Sequence, residues 1–372
     1  MFPDVAPGVY THRQMKTVAD RRSSRGCLAR IRAFALTILV GLVAGPNATA
    51  AQSAPSKDLL IYAIDVEGGQ ATLLVAPGGH SLLVDTGWPG NNGRDAERIQ
   101  AAMKDAGITQ IDKVLITHYH DDHVGGVSNL VARVKVGEFL DHGVNREEAD
   151  DTRNNYAAYL KAVGSTPRRS LHPGDSIEIP GLTINVLVAD GEHVDAVPGI
   201  KPTPNPYCAS EPKWDLDQTE NPRSVGILVR FGKFHFLDLG DLTKPKEIAL
   251  ACPNNPIGPV DLYLATHHGY YQSNAKAIVD AVHARVAIMD NGAHKAGSPE
   301  AWQTVHESPG LQDLWMLHTA EDSDAAHNSA EALIANPKGD GDGHYFKVVA
   351  HQDGSFSAMN SRTGQTKNYP HD

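Results

Sequence analysis

Cysteine is scarce in this 372-residue chain, with three in all, so neither a disulfide framework nor a cysteine-based zinc module is open to it. Long apolar runs are missing too: the longest, Ala33–Ala44, falls short of the roughly 20 residues that a spanning helix needs. Positive charge is in deficit, with 33 Lys+Arg against 44 Asp+Glu and a formal charge of −11. Such a surface repels a phosphate backbone at long range, so stable nucleic-acid binding is not expected. There is no internal repeat and no low-complexity tract.

The apolar run follows Arg21, Arg22, Arg25, Arg30 and Arg32 and precedes Ala48-Thr49-Ala50, the order of a secretory signal peptide with its small-residue cleavage site. Residues 1–50 are therefore expected to be leader and signal, 51–57 a linker, and 58–372 one domain in the periplasm or outside the cell, free of the membrane. Cleavage after residue 50 removes seven Lys/Arg and two Asp/Glu, taking the formal charge to −16. It also removes Cys27. The two thiols left, Cys208 and Cys252, are expected to form one disulfide in that oxidising compartment.

The runs LLIYAIDV, ATLLVA and SLLVDTG, separated by GGQ and PGGH, predict a β-meander over residues 59–87. A helix is expected over Arg94–Ala106, with Ile99 and Met103 on one face and Gly107 closing it. KVLIT (113–117) reads as a strand and Asn145–Arg169 as a polar helix and loop. Further strands are expected in LTINVLVAD, SVGILVRF, KFHFLDLGD, VDLYLAT and RVAIMDNG, helices in AKAIVDAV and PEAWQTVHE, and a terminal hairpin turning at Asp353-Gly354. Two β-rich halves with helices outside predict an α/β fold, a four-layered αββα sandwich. Residues 196–223 form a long loop, which in such a domain is more often functional than structural.

The chemistry is concentrated in THYHDDHVGG (117–126), where His118, His120, Asp122 and His123 follow a strand at H-x-H-x-D-H spacing. Residues two apart in extended chain point the same way, so His118 and His120 can grip one ion while the next turn swings Asp122 and His123 toward a second. Asp121 is the free position. Imidazole and carboxylate together suit Zn2+, with Mn2+ or Fe2+ also acceptable.

With these residues in view the chain resembles the metallo-β-lactamase superfamily, and within it the hydrolase domain of ComEC-type competence proteins. The matching pieces are DVEGGQATLL (65–74), VDTG (84–87), THYHDDHVGG, NPRSVGILVRFGKFHFLDLGD (221–241) and THHG (266–269). The chain departs from ComEC domains in carrying His120 where they have Asp, and in having no channel segments. The resemblance implies Asp241 as the carboxylate bridging two ions, with Asp238 turned toward the core. It implies His267 as the last ligand of the second ion, with His268 turned away to substrate or to the surroundings of a ligand, and Asp85 as the carboxylate that orients a ligand imidazole, although that aspartate can equally hold its own loop through backbone N–H groups. For the third histidine of the first ion it points to His193, with His142 as the rival.

The expected function is that of an exported hydrolase using a dimetal-bound hydroxide on phosphodiesters or related esters of small molecules. A β-lactam or lactone hydrolase, and a non-catalytic metal-binding protein, are the alternatives. Asp122, Asp241 and His268 are the expected catalytic groups, and the leaving-group proton is open between water on the metal, His268, Tyr270 and Tyr271.

Overall fold

Along Leu59–Ala63 the side chains of Leu59, Ile61 and Ala63 turn into one apolar cluster and that of Tyr62 into another, as the two-residue period of a strand requires. The computed structural model describes residues 57–210, 212–339 and 341–371. The proposed signal segment therefore lies outside the described residues.

Among these residues the alternation builds two large sheets. The first runs, edge to edge, Thr366–Tyr369, Phe356–Asn360, Phe346–Ala350, Leu59–Ala63, Thr72–Val75, Ser81–Val84, Gln110–Leu115, Lys135–Asp141 and Arg168–Ser170. The second runs Ile334–Asn336, Asp313–His318, Val286–Met289, Leu262–Leu264, Phe234–Asp238, Gly226–Phe231, Thr183–Ala189 and Glu192–His193. Leu59, Ile61, Leu82 and Val84 of one sheet meet Ile227, Val229, Phe234 and Phe236 of the other in a shared core. The outer face of the first sheet packs Tyr62, Leu73 and Leu83 against Ile99, Met103, Leu130 and Tyr159 from helices. The outer face of the second packs Leu228, Leu237 and Ala287 against Leu250, Ile278 and Val305. These are the four layers expected.

The expected meander is present, antiparallel throughout. Helix Arg94–Ala106 has the expected bounds, burying Ile99, Ala102 and Met103 at i, i+3, i+4 and stopping where Gly107 takes φ 75°. The expected helix AKAIVDAV contracts to a single turn, Lys276–Val279. Helix Lys244–Ala251 and strand Asp313–His318 were not anticipated. The first is weakly amphipathic, and the second is a nearly continuous apolar run, in which periodicity does not separate strand from helix.

One feature of the topology positions the chemistry. Ser81–Val84, Gln110–Leu115 and Lys135–Asp141 run parallel, as do Phe234–Asp238, Leu262–Leu264 and Val286–Met289. The loops leaving their carboxyl ends carry the functional residues, the edge at which open α/β sheets bind ligands.

Candidate metal centre

Asp85 follows strand Ser81–Val84, His118 to His123 follow Gln110–Leu115, Asp241 follows Phe234–Asp238, His267 and His268 follow Leu262–Leu264, and Asp290 follows Val286–Met289. Asp122 and His123 lie on a single helical turn, Asp121–Val124, so the box bends as expected after His120. Two close approaches hold that turn. Gln70 N–H donates to the Asp122 carbonyl at 3.1 Å, and a Cβ on Gly69 would lie 2.3 Å from the same oxygen. A Cβ on Gly126 would lie 2.0 Å from the Thr86 carbonyl oxygen. Only glycine fits at either place.

Asp122, His123, Asp241 and His268 converge, with one ligand atom of each within 4.8 Å of all the others. His123 Nε2 is 3.2 Å from Asp241 Oδ2 and 3.2 Å from His268 Nε2; His268 Nε2 is 3.2 Å from Asp122 Oδ2. His118 Nε2 faces His120 Nδ1 at 3.1 Å and Asp241 Oδ2 at 3.9 Å. His267 Nε2 reaches that same Asp241 oxygen at 3.2 Å.

Each of these five imidazoles turns its other nitrogen onto an oxygen. His123 Nδ1 meets Asp85 Oδ2 at 2.7 Å, His120 Nε2 meets Glu147 Oε2 at 3.0 Å, and His268 Nδ1 lies 3.2 Å from Asp290 Oδ1. His118 Nδ1 is 3.1 Å from Thr117 Oγ1 and His267 Nδ1 is 3.2 Å from Ser273 Oγ. A metal-binding histidine is oriented by such partners. Asp85, His267 and His268 have φ of 59°, 58° and 54°, a left-handed backbone costing of order 1–3 kcal/mol each outside glycine and concentrated at functional sites.

The electrostatics fit a cation. Asp241 is buried, yet its Oδ1 has no hydrogen-bond partner among the described residues. Burial alone raises the pKa of a carboxyl group, but His123, His267 and His268 around Asp241 hold it well below the usual range, and Lys295 and His123 do the same for Asp122. Burial, helped by His123 and His120, keeps His118 well below its ordinary value, and burial brings His267 down to about 4, so both present neutral nitrogens. Burial also disfavours charge on His268, but Asp241 and Asp290 outweigh it and hold its pKa at about 9. The carboxylates thus demand positive charge where the imidazole nitrogens converge, and a divalent ion satisfies that demand.

Two expectations need correction. His193 does not join the cluster: its Nδ1 faces its neighbour's carbonyl, Val194 O, at 3.3 Å, and Leu242 and Lys246 lie beside it. Its strand, Glu192–His193, pairs back on Thr183–Ala189 at a sheet edge. The rival His142 is no substitute, being buried with Nε2 2.7 Å from Glu220 Oε2. His268, expected to turn away from the ions, points into the cluster together with His267; consecutive left-handed residues place both imidazoles inward, where alternation along a strand would separate them. Asp238 is buried away from the cluster, its Oδ2 accepting from Gln70 Nε2 at 2.7 Å.

Lys295, Glu147, Asp290, Thr117 and Ser273 escaped the sequence reading. Asp290 alone carried a signal, since it ends the strand RVAIMD as Asp85 and Asp241 end theirs. Lys295 Nζ forms an ion pair with Asp122 Oδ2 and sits 4.5 Å above the Trp88 ring. Glu220 arrives on the long 196–223 loop and accepts from Arg146 N–H at 2.8 Å, while its own N–H donates to Glu147 at 3.0 Å. That loop is also tied to the body of the domain by a Cys208–Cys252 disulfide.

A family model described as "Metallo-beta-lactamase superfamily" matches residues 65–210. An atrochrysone carboxyl ACP thioesterase of Passalora fulva is 36% identical over 29% of this chain and 31% of its own length. Recombination protein 2 of Haemophilus influenzae is 26% identical over 62% of this chain and 24% of its own, and Ribonuclease Z of Methanopyrus kandleri is 27% identical over 55% and 70%. The chain thus spans a third or less of the first two relatives.

Proposed function

We propose that this protein, whose residues 65–210 match the metallo-β-lactamase superfamily, one of metal-dependent hydrolases, is an exported dinuclear hydrolase acting on phosphodiesters or related esters. The observation that carries the reading is the convergence of four imidazoles, those of His118, His123, His267 and His268, on Asp122 and Asp241, with His120 set against His118. His118 and His120, with Asp241, would hold one ion, and Asp122, His123 and His268, with Asp241, the other. His267, beside the Asp241 oxygen that also faces His118, takes the place left open by His193. Zinc suits this nitrogen and oxygen set, and manganese or iron would also bind.

Divalent ions held there would supply Lewis acidity, which lowers the pKa of water and polarises a substrate oxygen. The chain's own groups do the rest. Asp85 and Glu147 fix two imidazoles in orientation, Asp290 lies opposite a third, and Asp122 and Asp241 stay ionised. Tyr270, its ring tilted against that of His267 with centroids 5.1 Å apart, and exposed Tyr271 next to it stand where a leaving group can take a proton. Ribonuclease Z, a ribonuclease by name, supports the phosphodiester reading. The disulfide supports export, because oxidising compartments preserve such bonds.

A panel of bis-p-nitrophenyl phosphate, a chromogenic cephalosporin and an acyl lactone, run with and without chelator, tests the reading. The phosphodiester is expected to be hydrolysed, to stop with chelator and to recover on adding a divalent metal. Turnover of the cephalosporin or lactone alone overturns the substrate class, and turnover insensitive to chelator overturns the mechanism.

A further inference from the structure

Among the described residues, Lys295 is the lysine whose ammonium touches the cluster directly. Its loop, between strand Val286–Met289 and helix Pro299–His306, is fixed to the loop that carries His268. Gly297 N–H donates to His268 O at 3.1 Å, Ser298 N–H to Gly269 O at 2.9 Å, and Gly292 N–H to the carbonyl of Lys295 itself at 3.0 Å. Its partner beneath is fixed as well, since Trp88 N–H donates to the buried carboxylate of Asp95 at 2.8 Å. The ammonium thus stands over an aromatic face whose backbone is anchored, a cation–π position at the cleft. The Lys295 side chain is 35% exposed while that of Asp122 is 6% exposed, so the ammonium covers the solvent side of the carboxylate.

Asp122 Oδ2 also faces His123 Nε2 at 3.4 Å and His268 Nε2 at 3.2 Å, on the inner side of the cluster. A divalent ion held there would neutralise Asp122 from within and weaken its hold on the ammonium outside. Lys295 then has a positive charge, three donors and no carboxylate that requires it, at the mouth of the site. In a protein of net charge −11, an anionic substrate gains from a cation placed where it reacts.

We infer that Lys295, seated on Trp88, is the substrate-anion recognition residue, and that it holds a non-bridging oxygen of a singly charged phosphodiester. This rests on the hydrolase reading above and narrows it to anionic phosphoryl substrates. Lysine binds phosphate as a point charge, so arginine in its place keeps the function in part, and methionine keeps only the apolar stem.

The test uses the full protein, metal content measured, as wild type, Lys295→Met and Lys295→Arg. Calorimetry with inorganic phosphate is expected to show binding weakened about tenfold or more in K295M and partly restored in K295R, with metal stoichiometry unchanged. In turnover, the K295M loss on anionic bis-p-nitrophenyl phosphate is expected to exceed that on its neutral methyl triester by about tenfold, mainly through KM. Phosphate binding equal in wild type and K295M, or absent from both, overturns the inference. So does a K295M protein that has lost metal in step with phosphate, since Lys295 would then act on Asp122 alone. A wild type that turns over neither ester sinks the hydrolase reading, while the phosphate calorimetry still decides the role of Lys295.

Discussion

His123 and Asp85 are both fully buried, and Nδ1 of the one lies 2.7 Å from Oδ2 of the other. Thr117 contributes its backbone N–H and its hydroxyl to the same carboxylate, at 2.8 and 2.6 Å. Asp85 therefore orients an imidazole and, through Thr117, holds the neighbouring loop that carries His118 and His120.

Asp85→Asn keeps the left-handed backbone, which asparagine tolerates, but replaces one accepting oxygen by a donor. Metal affinity is expected to fall about 10–100-fold with the fold intact by circular dichroism. Unchanged affinity in a metal titration would show that Asp85 serves only to hold the loop at Thr117.

Asp241→Asn removes the charge that His118, His123, His267 and His268 all face. The protein is expected to fold, to lose most of one metal equivalent by elemental analysis, and to lose several orders of magnitude in rate. Wild-type turnover at full occupancy contradicts the bridging role.

His193→Ala is expected to leave metal stoichiometry and activity as they are, because its ring lies at a sheet edge beside Lys246. His142→Ala leaves the buried Glu220 carboxylate without its imidazole partner, and a drop of several degrees in Tm is expected. Loss of a metal equivalent from the His193 variant would restore that residue as a ligand.

The Cys208–Cys252 bond closes a loop with a sequence separation of 44. By chain-entropy arithmetic its removal costs roughly 4 kcal/mol. Denaturation of Cys252→Ser against wild type measures the cost, and thiol titration of the denatured, unreduced protein is expected to find neither cysteine free.

Burial lifts Glu247 to about 7, although it accepts N–H groups from Ala275 and Asn274. Its folded-state pKa is therefore above the unfolded value near 4.5. As pH rises through that window the unfolded chain ionises first, so this residue's contribution is most favourable below about pH 4.5, declines up to about pH 7 and is level above it. Glu247→Gln removes the dependence: relative to wild type it is expected to gain more stability at pH 8 than at pH 5. Denaturation curves that stay parallel across that range rule the assignment out.

Periodicity and spacing by themselves determined the layered fold, the meander, helix Arg94–Ala106 and the box from His118 to His123. Those signals are local: alternation reports a strand wherever one face is buried, and a ligand box confined to six residues needs no distant partner to be recognised. Tertiary structure alone decided which downstream histidines join the box. His193 occurs in the expected order along the chain, yet its strand turns it to a sheet edge, while His267 and His268 enter together because two consecutive left-handed residues override strand alternation. Lys295, Glu147 and Asp290 reach the centre only through the joining of parallel strand ends from two sheets. Contacts such as Lys295 to Asp122, 173 residues apart, leave no periodic trace in a single sequence.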